Sequence, residues 1–587
     1  MKLKNILHIP ESRYSTRHIL QWLWRAWRGN RLQACINAGL GLADVAVSLA
    51  SVWAVKHAID VASRSAQGSI YAAVALMGAL ILCGFAINIA EVWVRNILGI
   101  KAQNRMQQLM LDRILRSEWH GKEKRHSGDV LNRLEFDVNN VVGFLTETVP
   151  NTISVIALFA GSFCYLFSMD PLLAALIVFM LPVFILSSRV YVAHMRKLTR
   201  KVRSSDSRVQ SVLQETIQHR MLIKTLEKDT EMVDRLEATQ SELRRNVVRR
   251  TRFSVVSNFI LNFGFALGYL VAFLWSALRM SAGTLTFGGM TAFLQLVSKI
   301  QGPARNLTRL APAFVSVFTA AERLMELEEN PLEEQGEPIY MNGNGNGAGV
   351  RLENVSYRYD DGKDNVIEHL SFDFKPGTCT AILGETGAGK TTLVRLVLAL
   401  MQPTGGNVCI YNKERSERMS PRMRCNIVYV PQGNTLLSGS IRDNLRMGRI
   451  NATDEEMMQA LDKACAAFVR QLPGGLDTDC AEAGGGLSEG QAQRIAIARA
   501  LLREGSVMIF DEATSALDPE TERQLLANLL SEHNHTILFI THRPAVVDYC
   551  DQTLRIKAPH DRESGQGNNP AEEHGKEQQK ERKEQKA

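Results

Sequence analysis

Residues Ala381–Thr392 read AILGETGAGKTT, and no other stretch narrows the possible folds so far. Gly384, Gly389, Lys390 and Thr391 stand in the register G-x-x-x-x-G-K-[ST], with Gly387 between them. Glycines let consecutive backbone N–H groups turn inward onto phosphate oxygens, the lysine neutralises the terminal phosphates, and the threonine hydroxyl is a ligand for Mg²⁺. The following helix adds the positive end of its dipole. Such a loop needs a strand before it and a helix after it. Thr378–Leu383 supplies an apolar strand, and Thr391–Met401 has the length and composition of a helix. The loop therefore predicts an α/β nucleotide-binding domain.

The remaining strands of that domain are readable. Arg351–Tyr359 alternates, whereas Ile427–Val430, Val507–Phe510 and Ile537–Ile540 are short continuous apolar runs suited to buried parallel strands. Val507–Phe510 runs into Asp511 and Glu512. An acid at a strand end beside a phosphate loop is placed to hold Mg²⁺, and a second acid to polarise water.

At 587 residues the chain exceeds one core. Its mean hydropathy of −0.09 averages two unlike halves. Six apolar stretches, each near the roughly 20 residues that cross a bilayer, occupy Ala34–Ala62, Ile70–Leu98, Val149–Phe167, Leu172–Val190, Phe253–Leu278 and Phe287–Val317. Ahead of them, Arg13–Arg28 places Trp22, Trp24 and Trp27 among arginines, the composition of a helix lying at a membrane interface. Basic residues concentrate between the second and third stretches (Lys101, Arg105, Arg113, Arg116, Lys122, Lys124, Arg125, Arg133) and between the fourth and fifth (Arg196, Lys197, Arg200, Lys201, Arg203). The short connections around Ser63–Ser69 and Ser168–Pro171 hold one arginine between them. The positive-inside rule then puts both long loops, both termini and the C-terminal half in the cytoplasm. Lys101–Glu118 and Ser204–Thr251 keep helical periodicity, so helices are expected to leave the bilayer and turn back, with tips near Trp119–Ser127 and Glu215–Met221. Asp44 and Glu91 lie inside apolar stretches; a helix–helix hydrogen bond or a displaced span boundary is the first reading, a polar contact for substrate or a proton the second.

Nine cysteines without C-x-x-C pairing read as free thiols. The N-terminus lacks a cleavable apolar signal. The net charge of +7 suits nucleic acid or an anionic membrane face equally, but six spans argue for the membrane. The expected division is 1–330, a transmembrane helical domain; 331–349, a flexible Asn/Gly-rich linker; 350–558, the α/β domain; and 559–587, a disordered charged tail.

Further motifs give a resemblance. Leu487–Gln491 (LSEGQ) resembles the signature of the ATP-binding cassette family, with Glu489 where glycine is usual. Gln432 matches that family's Q-loop, Ser515–Asp518 its D-loop, His542 its switch histidine, and Tyr359 the aromatic that stacks on adenine. Six spans followed by one cassette resemble an ABC exporter half-transporter along nearly the whole chain.

The resemblance implies ATP-driven export or lipid flipping by alternating access. It also implies an integral, multi-pass protein of a bacterial inner membrane that works as a homodimer or with another half-transporter. Two cassettes would meet head to tail, with Leu487, Ser488, Gly490, Gln491 and Asp518 serving nucleotide across the junction. Lys390, Thr391, Thr392, Gln432 and Asp511 would hold phosphates and Mg²⁺; Glu512 would orient water, and His542 would contact the γ-phosphate. A cassette protein that regulates a channel or partner is the alternative function; no nucleic acid is expected. The transported substrate is not legible.

Overall fold

The computed structural model describes residues 13–29, 31–119, 127–341, 347–359, 362, 364–480, 486–531 and 535–557. Two compact units divide them: residues up to Asp112 with Ser127–Glu329, and 113–119 with Asn330 onward. The expected tail 559–587 and most of the first tip lie outside the described residues.

The first unit is helical. Helix α1 (Thr16–Ala26) starts at Ser15, whose Oγ accepts from the backbone N–H of His18, and buries Ile19, Trp22 and Leu23. Helices α2 (Arg31–Ala62), α3 (Ile70–Arg116), α4 (Val149–Met169), α5 (Pro171–Gln218), α6 (Asp229–Ser281) and α7 (Phe287–Glu328) follow. Among the described residues, Arg31–Ala62, Ile70–Arg116, Gly128–Met169 and Asp229–Ser281 are long and apolar enough to cross a membrane. The other two expected spans fall in α5 and α7, where the side chains of 177–193 and 304–312 lie outside the described residues. Val52, Leu166, Leu173, Ala272, Phe293 and Leu296 form a shared buried cluster of α2 and α4–α7.

Asp170 sets the turn between α4 and α5. Its Oδ1 accepts from the N–H groups of Leu172 and Leu173 at 3.1 Å, and its Oδ2 from Trp275 Nε1 at 3.0 Å. It thus caps α5 and ties it to α6. The second tip comes later than its sequence suggests. Helix α5 runs to Gln218, a short helix covers Arg220–Thr225, and Glu227 (φ 55°) turns the chain into α6. Ile217, Met221, Leu222 and Leu226 are exposed there.

The second unit is α/β. Its antiparallel sheet has the order β2-β1-β4-β5, from β1 (Gly349–Tyr357), β2 (Ile367–Phe374), β4 (Gly405–Tyr411) and β5 (Ser416–Arg418). Its parallel sheet runs β11-β3-β10-β9-β6, from β3 (Cys379–Gly384), β6 (Ile427–Val430), β9 (Val507–Asp511), β10 (Thr536–Ile540) and β11 (Gln552–Ile556). Both faces of this sheet are covered. On β9, Met508 and Phe510 enter one core while Val507 and Ile509 enter the other, and β10 divides in the same way. Two buried faces are why these strands read as unbroken apolar runs.

Two sequence expectations need correction. The helix after the phosphate loop, α8, covers Lys390–Val397 and stops short of Met401. Ala399 is left-handed (φ 49°), and the N–H of Leu400 bonds back to Arg395 O at 2.9 Å, a Schellman ending without its usual glycine. The stretch read as a flexible linker is pinned to the α/β unit in its described part. Arg424 forks onto Glu333 with two 2.7 Å bonds, Ile339 N donates to Arg422 O, and Met341 N donates to the buried Asn426 Oδ1 at 2.7 Å. Polar composition suggested a coil, but polar partners on the domain surface fix it; residues 342–346 lie outside the described residues.

Candidate functional site

Four neighbouring strands deliver the candidate residues to one edge of the sheet. β3 leads into the phosphate loop, β10 into His542, β9 into Asp511 and Glu512, and β6 into Gln432. Parallel pairing brings Ile382, Ile540 and Asp511 level with one another, so their C-terminal continuations emerge side by side. Ligands of open α/β sheets bind at such an edge.

The loop's glycines meet two demands. Gly387 (φ +86°) and Gly389 (φ +102°) adopt backbone that side-chain-bearing residues avoid, and a Cβ on Gly389 would lie 3.0 Å from Val366 Cγ1. Lys390, at the first position of α8, is buried, and its Nζ donates to Gly384 O at 2.6 Å and to Glu385 O at 3.4 Å. Burial pulls its pKa down, while Glu512 and Asp511 oppose that shift. The same Nζ lies 2.7 Å from His542 Nε2, which accepts from the ammonium.

Glu512 stands next in this chain of contacts. Its Oε2 accepts from Gln432 Nε2 at 2.7 Å, and its Oε1 lies 3.5 Å from His542 Nε2. Its backbone is left-handed (φ 48°), uncommon for a side-chain-bearing residue and frequent where a site holds a group under constraint. Asp511 is 6% exposed and accepts from Tyr429 Oη at 3.1 Å. Burial raises its pKa above the ordinary aspartate value despite that bond. Thr391 is exposed at the start of α8, and Thr392 is buried, its Oγ1 2.9 Å from Tyr359 Oη. Lys390, His542, Glu512 and Gln432 are thus joined in one network, with Asp511 adjacent in sequence and Tyr359 bonded to the loop helix.

Among the described residues, Leu487, Ser488, Gly490, Gln491 and Asp518 keep their bonds local. Ser488 caps helix α9 (Glu489–Leu501): its Oγ accepts from Gln491 N at 3.2 Å, and Gln491 Oε1 accepts from Ser488 N at 2.8 Å. Glu489 is exposed in the first turn, where the helix dipole favours an acid. A Cβ on Gly490 would lie 2.7 Å from Ala516 O. Asp518 caps helix α10 (Pro519–Leu530), accepting from Glu520 N and Thr521 N, and those bonds lower its pKa.

Gln493 follows the signature and Arg543 follows His542 in the sequence, but their contacts are not legible there, nor are those of Tyr429 or the stacking of Arg395 over Trp119 at 4.3 Å. None belongs to a short motif with its partner; their roles come from contacts between distant residues.

The pattern of the ABC transporter transmembrane region matches residues 35–304, and that of the ABC transporter matches 367–515. An ATP-dependent lipid A-core flippase of Bordetella avium is 28% identical over 505 residues, covering 82% of each chain. Antigen peptide transporter 2 of Mus musculus is 29% identical over 460 residues, 77% of this chain and 64% of that protein. The fold is similar to that of a bacterial Atm1-family ABC exporter solved with ATP bound, with a TM-score of 0.74 at 22% identity, covering 92% of this chain and 97% of that one.

Proposed function

Because this chain belongs to the ABC transporter superfamily, as an exporter-type half-transporter with membrane region and ATP-binding cassette in one polypeptide, we propose that its own network of Gln432, Glu512, His542 and Lys390 drives the ATP hydrolysis that powers export. That network is the observation that carries the reading. ATP is the nucleotide of this cassette, and exporters of this kind work as dimers.

In the proposed cycle, ATP phosphates take the place of Gly384 O and Glu385 O as partners of Lys390 Nζ. Loop N–H groups and the start of α8 add donors. Tyr359, held against Thr392, flanks the base. Glu512 orients the attacking water, positioned by Gln432 on one oxygen and by His542 near the other. His542 then reaches the γ-phosphate with the nitrogen that now faces Lys390. Catalysis of this kind is positioning and electrostatics.

Mg²⁺ fits the oxygen donors present: the Thr391 hydroxyl, the Asp511 carboxylate and the Gln432 amide suit a hard cation. The buried Asp511, whose charge burial disfavours, fits the same conclusion. When bound, the ion would neutralise phosphate charge. Ser488 and Gln491, with α9 behind them, would serve nucleotide held by a second cassette, from an identical chain or a different half-transporter.

The orientation proposed has the cassette in the cytoplasm and the membrane region in a bacterial inner membrane. Relatives named for a lipid and for antigen peptides support a large amphiphile as cargo without choosing one.

The test is flux in proteoliposomes. Labelled lipids, peptides and amphiphilic dyes are offered to wild type and Glu512→Gln with ATP outside. ATP-dependent flux of at least one probe, lost in the variant, is expected. Hydrolysis without flux of any probe, accompanied by ATP-gated ion conduction, would favour a regulatory cassette protein.

A further inference from the structure

The residue after His542 makes contacts that the proposed catalytic network does not use. Arg543 sends its guanidinium away from the phosphate loop, to the segment between Glu512 and α10. One terminal nitrogen donates to Ser515 O at 2.8 Å; the other donates to Leu517 O at 3.2 Å and to Glu522 Oε2 at 2.8 Å. Its backbone N–H donates to the buried Thr541 Oγ1 at 3.0 Å, fixing the turn that carries both residues. The Glu522 side chain is 4% exposed, and its second oxygen is buried without a hydrogen bond. A buried carboxylate of this kind demands a cation.

The same segment is held from its other side by Gln493, in the second turn of the helix that Ser488 caps. Gln493 Nε2 donates to Ser515 Oγ at 3.4 Å, and Gln493 Oε1 accepts from Ala516 N at 3.3 Å. At the start of α9, Gly490 leaves room for Ala516 O. Residues 515–518 therefore sit in a bracket. One arm is covalently next to His542, and the other belongs to the helix that Ser488 caps.

We propose that Arg543 is a positioning residue that couples His542 to the 515–518 segment and, through Gln493, to the Ser488 end of α9. A shift of His542 toward a bound γ-phosphate moves the adjoining Arg543, and its two carbonyl contacts pull Ser515 and Leu517 with it. Nucleotide in this chain's loop thereby sets the surface that serves the second cassette's nucleotide. The inference rests on the proposed role of His542 and adds a route out of that site. Planarity is what the task needs. A guanidinium spans two carbonyls and a carboxylate at once, whereas an ammonium is a point charge on a flexible stem.

Arg543→Lys isolates this function, because it keeps a cation for Glu522 and gives up the fork. Glu522→Gln does the reverse, keeping the guanidinium and its carbonyl contacts. The full chain is placed in lipid nanodiscs, and hydrogen exchange at 515–518 is measured with and without ATP and Mg²⁺, alongside ATP affinity and hydrolysis. In wild type and Glu522→Gln, ATP should slow exchange at 515–518. In Arg543→Lys that slowing should vanish at unchanged ATP affinity, and kcat should fall roughly tenfold to hundredfold with little change in KM.

Equal protection and equal kcat in Arg543→Lys overturn the proposal. So does the same loss in both variants, which would assign Arg543 to fold stability alone. The exchange measurement needs no turnover, so it reports even if hydrolysis requires a different second chain. Glu512→Gln, run in parallel, separates the two levels. Undiminished hydrolysis there defeats the proposed catalytic network, whereas a Glu512-dependent rate that ignores Arg543→Lys defeats only the coupling.

Discussion

The phosphate-loop edge of the cassette and the start of its signature helix are built differently. At the phosphate loop, side chains from four strands bond to one another: Lys390 to His542, and Gln432 to Glu512. At the signature, Ser488 and Gln491 bond, among the described residues, within their own helix start in a reciprocal capping box. The first edge spends its polar groups on neighbours within the chain; the second satisfies its backbone locally and leaves Glu489 and the Ser488 turn facing outward. The set that closes on itself is the one proposed to hold this chain's own nucleotide, and the capped helix start is the one proposed to serve nucleotide held by a second cassette. This contrast supports the reading of one complete loop edge and one donated edge per chain.

Lys390→Ala attacks the first edge and should have the largest effect. It removes the cation at the loop and the partner of His542, so ATP binding and hydrolysis should both fall by on the order of 10²-fold or more. Nucleotide titration with a fluorescent ATP analogue reads the first, phosphate release the second. Wild-type binding would mean that the loop's N–H groups suffice alone.

Ser488→Ala attacks the second edge and should separate the two readouts. Binding to the chain's own loop should persist while hydrolysis falls roughly tenfold to hundredfold. The lost cap also costs about 1 kcal/mol of cassette stability, visible as a lowered Tm. A loss of binding equal to that of Lys390→Ala would erase the distinction between the edges.

Much of the first edge was legible because each part is short and self-announcing. The loop's register, the apolar runs Val507–Phe510 and Ile537–Ile540, and the residues that follow them can be read without knowing what packs where. Two buried sheet faces impose that pattern. The end of α8 was not legible, since apolar residues continue to Met401 and the chain turns at Ala399 without a glycine to mark it. The docked stretch 333–341 was misread for a related reason. Its polar residues look like coil, and their partners Arg422, Arg424 and Asn426 lie some 90 positions away. Arg543 and Tyr429 escaped notice because nothing in the sequence says where Ser515 O or Asp511 will be.

The smallest expected effect is on stability. Asp511 is buried, and burial raises its pKa, so the folded cassette without nucleotide binds its proton more tightly than the unfolded chain does. Stability from this group is therefore greatest below the unfolded aspartate pKa and is lost as pH rises through the folded value. Asp511→Asn should raise the Tm of the nucleotide-free protein at neutral pH, and that gain should shrink in acid. Hydrolysis should be lost at the same time. A lowered Tm at neutral pH would show that the ionised carboxylate is already well compensated without a cation. Activity and stability trading against each other is the pattern of a group retained for its chemistry.

Whether this chain's own Glu512 drives hydrolysis is decided by the ATPase activity of the purified protein in lipid, beside Glu512→Gln. ATP binding should be retained in the variant, with hydrolysis lower by on the order of 10²–10⁴-fold. Hydrolysis that continues at the wild-type rate in Glu512→Gln, with binding intact, would mean that another group activates the water.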